Sequence, residues 1–196
     1  MKKSDAFSIC RTVRLANPES ITIADAGWNT VVDEHSPWMA LRQRLGSRLV
    51  SAALGCERQV IAMFGVVSCD VHDNGTSAIT AAVTAAKAAD TVLLFVGTNP
   101  IGNVLSCPPG SATCRLTTEA AGVDRASLEL PGVQPDLIRA VHAANPNVVL
   151  VMLNGGPLAI EWPAAHVPAI VEAFFPGELG GDAIADYCPF TTAYNN

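Results

Sequence analysis

Charge is scarce in this chain of 196 residues: Asp, Glu, Lys and Arg together make up 15%. With 49% hydrophobic residues and a mean hydropathy of +0.30, the composition is the opposite of a disordered segment. Basic residues are the rarer sign, 12 against 18 acidic ones, and the net charge is -6 with a pI near 5.1. That balance argues against a nucleic-acid surface. The one basic cluster, Arg42 to Arg48 (RQRLGSR), reads as the solvated face of a helix. No apolar run approaches the length of a membrane span. Met1-Lys2-Lys3 could open a leader, but SDAFSIC supplies no adequate apolar stretch behind it. Either the protein stays inside the cell or its natural start lies upstream, so localisation stays open.

Several motifs are missing as well. There is no CxxC pair and no HExxH, and the histidines (His35, His72, His142, His166) are scattered, so no metal site is expected. GxxxxGK[ST] and GxGxxG are absent, and Asn154-Gly155-Gly156-Pro157 runs on into Leu158, so no nucleotide cofactor is expected. The 6 cysteines do not amount to a disulfide scaffold. Cys107 with Cys114, and Cys56 with Cys69, could each close a small loop; free thiols are the equal alternative.

What is present is an alternation of apolar runs and helical stripes. Ser36-Pro37 opens a helix, with Ser as N-cap and Pro in the first turn. Trp38, Leu41 and Leu45 recur at helical spacing before Gly46. Strands are expected at 48–54 (RLVSAAL) and 60–67 (VIAMFGVV). Ile79, Ala82, Val83 and Ala86 mark a helix of small side chains over 77–89. Thr91 to Gly97 (TVLLFVG) is β-branched and apolar on both faces, as a central strand should be. A connection rich in Pro, Gly, Ser and Asn follows over 98–118, of a length that in a compact domain is usually functional or disordered. After Leu130-Pro131-Gly132 a helix runs to Ala144 with Leu137, Ile138 and Val141 inward. Val148 to Leu153 is a second central strand, a short helix lies near Glu161-Trp162, and a third strand covers 169–174. A last helix runs through Asp186. Strand, helix, strand, helix at these spacings means an α/β fold, a mostly parallel sheet with helices on both faces. Residues 1–35 are poorly patterned apart from a short strand in ITIADAG, the patterned domain spans 36–186, and 187–196 lose all pattern.

The polar groups that follow the strands carry the chemistry. Glu119 to Gln134 reads EAAGVDRASLELPGVQ and places Glu119, Asp124 and Arg125 in a loop after the strand at 91–97. In open α/β sheets ligands bind beyond the carboxyl ends of the strands. Glu119 suits a general acid/base, or is a solvated surface carboxylate. Asp124 and Arg125 read first as a local ion pair and second as ligand contacts, and Asn154 first as a turn former. Glu172 and Glu178 stand after the third strand. Glycoside hydrolysis needs two carboxyls flanking the bond, and these loops offer one plausible candidate.

The series AVTAAKAADTVLLFVGT, EAAGVDRASLELPGVQPDLIRAVHAANPNVVLVMLNGGPLAIEW and PAIVEAFFPGELGGDAIAD resembles the C-terminal domain of glycoside hydrolase family 3, over roughly residues 36 to 186. Its β-xylosidase and β-glucosidase branches look closest. The resemblance implies a three-layer α/β/α sandwich of six strands that covers the mouth of a barrel. It implies a retaining reaction on β-linked xylosides or glucosides, with the nucleophile supplied by the barrel as a further domain or subunit. By position, Glu119 matches the first Glu of the family's ExExxDR pattern and Asp124-Arg125 its DR, while the second Glu is Ala121 here. The resemblance thus makes Glu119 the acid/base and Asp124, Arg125 and Asn154 the sugar contacts. No barrel and no Gly-Arg-Leu-Pro type strand flank the domain, so the chain taken alone is expected to be weak or inactive. A non-catalytic sugar-binding or interaction module on the same scaffold is the competing expectation.

Overall fold

The computed structural model describes residues 7–11, 23–25, 29–31, 37–45, 49–55, 58–61, 66–69, 77–98, 125 and 127–187. The strands in chain order are β1 (Phe7–Arg11), β2 (Ile23–Asp25), β3 (Asn29–Val31), β4 (Leu49–Leu54), β5 (Arg58–Ile61), β6 (Val66–Cys69), β7 (Thr91–Gly97), β8 (Val148–Leu153) and β9 (Ala169–Glu172). The helices are α1 (Pro37–Leu45), α2 (Ser77–Lys87), α3 (Gln134–Ala144), α4 (Glu161–His166) and α5 (Gly180–Tyr187). Among the described residues the main sheet has five strands in the order β4-β1-β7-β8-β9, every pair parallel. The family resemblance implies six. Two antiparallel hairpins, β2-β3 and β5-β6, stand apart from it.

Alternation along the central strands builds two cores, because successive side chains of a strand point to opposite faces. Val92, Leu94 and Val96 of β7, with Val148, Leu150 and Met152 of β8, pack with Ile79, Ala82 and Ala86 of α2 and Leu137, Ile138 and Val141 of α3. Leu93, Phe95, Val149 and Val151 meet Ala40, Leu41 and Leu45 of α1 and Ile184 and Ala185 of α5 on the other face. All seven residues of β7 are buried, which is why its sequence carries no polar alternation. Layer, sheet and layer together make the α/β/α sandwich. Arg44 also joins α1 to α5 by donating to Asp186 (2.6 Å) and Asp182 (3.0 Å). The bond to Asp186 above all, then that to Asp182, holds its guanidinium pKa above the ordinary value.

The helices at 37–45, 77–87 and 134–144 and the strands at 49–54, 91–97 and 148–153 stand close to where the sequence places them. The run expected as one strand at 60–67 is instead β5 and β6, paired Arg58 with Cys69 and Ile61 with Val66. Phe7–Arg11, within the stretch that shows no pattern, forms a strand between β4 and β7. Most of the long connection (99–118), His72, Cys56, Cys107, Cys114 and the side chain of Trp38 lie outside the described residues.

The order in which the strands join the sheet fixes where a site belongs. From β1 the chain moves outward to β4, then returns past β1 to β7 and goes on to β8 and β9. The winding direction therefore reverses between β1 and β7. Connections of one hand then put helices on opposite faces for the two directions, as α1 and α2 are. A crevice opens at such a reversal, at the carboxyl ends of the strands.

Candidate functional site

At the carboxyl end of β7 stands Gly97, with φ at 155°. A Cβ there would lie 1.8 Å from the carbonyl oxygen of Leu153, so no other residue fits this approach of β7 to β8. Thr98, fully buried, donates its N–H to that same carbonyl at 2.9 Å. Val92 N–H likewise points to β8, bonding Asn147 at 3.0 Å. Even-numbered residues of β7 thus bond towards β8, and Gly97 presents its peptide groups to the β1 side. The last pair between β1 and β7 is Arg11 with Phe95, so β1 stops short of Gly97.

Gln134, the first residue of α3, takes that place. Its Nε2 donates to Gly97 O at 2.8 Å, and its Oε1 accepts Gly97 N–H at 2.7 Å. The side chain is 4% exposed and occupies an apolar position of its helix, in line with Leu130, Leu137, Ile138 and Val141. Burying an amide among apolar side chains is costly unless both its halves are bonded, as here.

After β8 the chain turns through Asn154, Gly155, Gly156 and Pro157. Asn154 Nδ2 donates to Gly156 O at 2.8 Å, the turn-forming bond expected of it. The residue is 1% exposed, and its Oδ1 has no hydrogen-bond partner. Arg125 reaches the same turn, where its Nη2 donates to Pro157 O. Its Nη1 is buried and likewise without a partner. Ala159 N–H bonds Leu128 O at 2.8 Å, tying the stretch after Arg125 to the stretch after β8. The structure so brings Arg125 and Asn154 to one turn at the carboxyl edge of the sheet. Glu119 and Asp124 lie outside the described residues.

The third strand adds to this edge. Glu172 accepts the N–H of Phe174 at 3.1 Å, while Phe174 sits at φ 50°, and Gly177 at φ 75°. Phe174, Phe175 and Leu179 are all exposed, as is Leu128. Glu178 is exposed too. Among the described residues no three His, Cys, Asp or Glu come together as metal ligands, and no helix is long and apolar enough to cross a membrane. Gln134 is the residue at this edge that sequence reasoning passed over. Its signal was an amide at an apolar position of a helical stripe.

The family model of the glycosyl hydrolase family 3 C-terminal domain matches residues 11–188. The chain belongs to this family. Among curated relatives, the domain is 35% identical over 118 residues to a β-xylosidase of Formosa agariphila, covering 60% of this chain and 14% of that protein. It is 35% identical over 112 residues to a β-glucosidase of Rhizobium radiobacter, covering 57% and 12%. The chain thus spans only a small part of the relatives it matches. Of solved structures, a family 3 exo-β-xylosidase with a bound xylobiose aziridine probe superposes with a TM-score of 0.65 at 23% identity, covering 95% of this chain and 20% of its own. At that identity the likeness shows the fold alone.

Proposed function

We propose that the domain forms one wall of a retaining β-glycosidase site acting on β-linked xylosides or glucosides, together with a barrel, in cis or in trans, that brings the nucleophile. The observation that carries this reading is the pair of unpartnered buried groups at one turn, Asn154 Oδ1 and Arg125 Nη1. One is an acceptor and the other a donor, and a sugar hydroxyl, which donates and accepts at once, satisfies both chemistries. Membership of a family whose matched relatives include β-xylosidases and β-glucosidases supports the choice of substrate. In this reading Asp124 joins Arg125 and Asn154 in shaping the sugar pocket.

Glu119 is the acid/base in the same proposal. Its carboxyl protonates the departing glycosidic oxygen while the barrel's carboxylate attacks the anomeric carbon. The resulting carboxylate then takes a proton from the water that releases the sugar. The test is hydrolysis of alkyl and dinitrophenyl β-xylosides and β-glucosides by the chain joined to a family 3 barrel, with and without Glu119→Gln. Loss of the acid should slow the alkyl glycoside by on the order of 10²- to 10⁴-fold. Dinitrophenolate leaves unprotonated, so formation of the glycosyl-enzyme from that substrate should be spared. Equal rates for the variant and the parent on alkyl glycosides would remove Glu119 from the mechanism.

A second reading has one observation in its favour: Ala121 stands where the family pattern carries its second Glu. A binding module without turnover would then be expected. Saturable binding of xylose or glucose, with no hydrolysis once a barrel is supplied, would select it.

A further inference from the structure

We infer that Gln134 is a positioning residue of this carbohydrate site, an inference that rests on the glycosidase reading above. Residues 97 and 134 bracket the stretch that holds Glu119, Asp124 and Arg125. One amide closes that bracket with two buried hydrogen bonds of 2.7 and 2.8 Å. In a parallel ladder two residues of the neighbouring strand would take these two peptide groups, and here one side-chain amide takes both. Gln134 therefore completes the sheet at the reversal point without a strand. A longer β1 would satisfy Gly97 equally well and would fill the crevice.

The bracket is tight on its other side too. Gly97 is pressed against Leu153 O, and Thr98 N–H is bonded to that oxygen. Asn154, with its free Oδ1, comes next in the chain. The Gly97–Thr98 peptide is thus clamped between Gln134 and the residue before Asn154. Remove the amide and the turn that offers Asn154 loses one jaw of its clamp. Arg125 is held to the same turn through Pro157 O, so both proposed sugar contacts depend on it.

The experiment uses the barrel-joined chain with Gln134→Met and Gln134→Glu, reading rates per folded molecule and thermal midpoints on the same samples. Gln134→Met keeps the length and loses both bonds. It should lower kcat/KM by on the order of 10²-fold on alkyl glycosides, the scale of a small misplacement of reacting groups. Gln134→Glu retains an acceptor always and a donor only when its carboxyl is protonated. Its rate relative to the parent should therefore recover as pH falls, whereas that of Gln134→Met should not. A purely structural Gln134 would lower the thermal midpoint and leave the rate per folded molecule unchanged at every pH, and that result overturns the inference. If Gln134→Met does not fold, the pH-dependent recovery of Gln134→Glu decides alone. Glu119→Gln is assayed alongside. If it is as active as the parent on alkyl glycosides, the acid assignment falls; if it is impaired and the Gln134 variants are not, this inference falls by itself. An inactive parent sinks both.

Discussion

Where β7 and β8 begin, Asn145 spends every side-chain group on the fold, and Asn147 both protons of its amide. Asn145 Nδ2 donates to the carbonyls of Ala86 (3.0 Å) and Ala89 (2.8 Å), and its Oδ1 accepts Asn147 N–H. Asn147 Nδ2 donates to Asp90 O and to Thr91 Oγ1, each at 2.8 Å. Where β8 finishes, Asn154 is more deeply buried yet leaves its Oδ1 unpartnered, and beyond β9 Phe174 holds a left-handed backbone. The residue type is the same and the hydrogen-bond accounting is opposite. A fold that satisfies Asn145 completely at one end has no structural need to leave Asn154 unsatisfied at the other. Unpaired buried groups and backbone strain gather where a ligand, not the fold, is to complete the structure.

The strongest way to break this contrast is to unseat the point on which the carboxyl end of the sheet rests. Gly97→Ala drives a methyl into Leu153 O, 1.8 Å from the ideal Cβ, and neither strand can yield without losing its ladder. A destabilisation of about 3 kcal/mol is expected, read as a drop in the urea midpoint at unchanged slope. A midpoint within experimental error of the parent would show that the two strands are freer there than described.

A matched pair sharpens the contrast directly. Asn145→Ala strips two donors and one acceptor from the satisfied end and should cost about 2 kcal/mol. Asn154→Leu loses one bond to Gly156 but also removes a buried orphan acceptor, so its stability should change by less than about 1 kcal/mol. Chemical denaturation of both variants checks this. Equal losses would erase the distinction between the two ends. The smallest effect concerns Phe174, half of whose surface or more meets solvent. Phe174→Gly should raise stability by about 1 kcal/mol, since glycine relieves the left-handed backbone and little packing is lost. Differential scanning calorimetry would show this as a rise in Tm, and a fall would mean that the ring packs more than its exposure suggests.

The satisfied end is also the end that sequence reads well. β7 and β8 declare themselves as unbroken apolar runs because both their faces are covered, and α3 declares itself by the stripe Leu137, Ile138, Val141. Phe7–Arg11 declares nothing. Its five residues mix Phe and Ile with Ser, Cys and Arg, and its place in the sheet comes from pairing with β4 and β7, partners far away in the chain. The hairpin β5-β6 was hidden for the opposite reason, since two adjacent apolar strands spell one continuous run. At the site, Arg125 and Asn154 could be chosen as residue types after strands. That they share one turn is a tertiary fact with no local signature. Gln134 was legible in principle, as a polar residue on an apolar stripe, but only in view of Gly97 does its purpose become plain.

The strand order also governs how the chain can assemble. Val149 pairs with Ala169, a short reach along the chain, Phe7 with Leu49 and Val92 with Val148 over longer ones, and Phe7 with Thr91 over the longest. Each doubling of the loop to be closed adds about 0.6 kcal/mol of entropic cost. The pair β8-β9 is thus the cheapest to form, and the docking of β1 on β7 closes the longest loop. During synthesis β1 leaves the ribosome before any strand it will pair with, and it has to wait for β7, some way down the chain, before its second edge is covered. An edge left open in the interval is the place where such a chain pairs with the wrong partner.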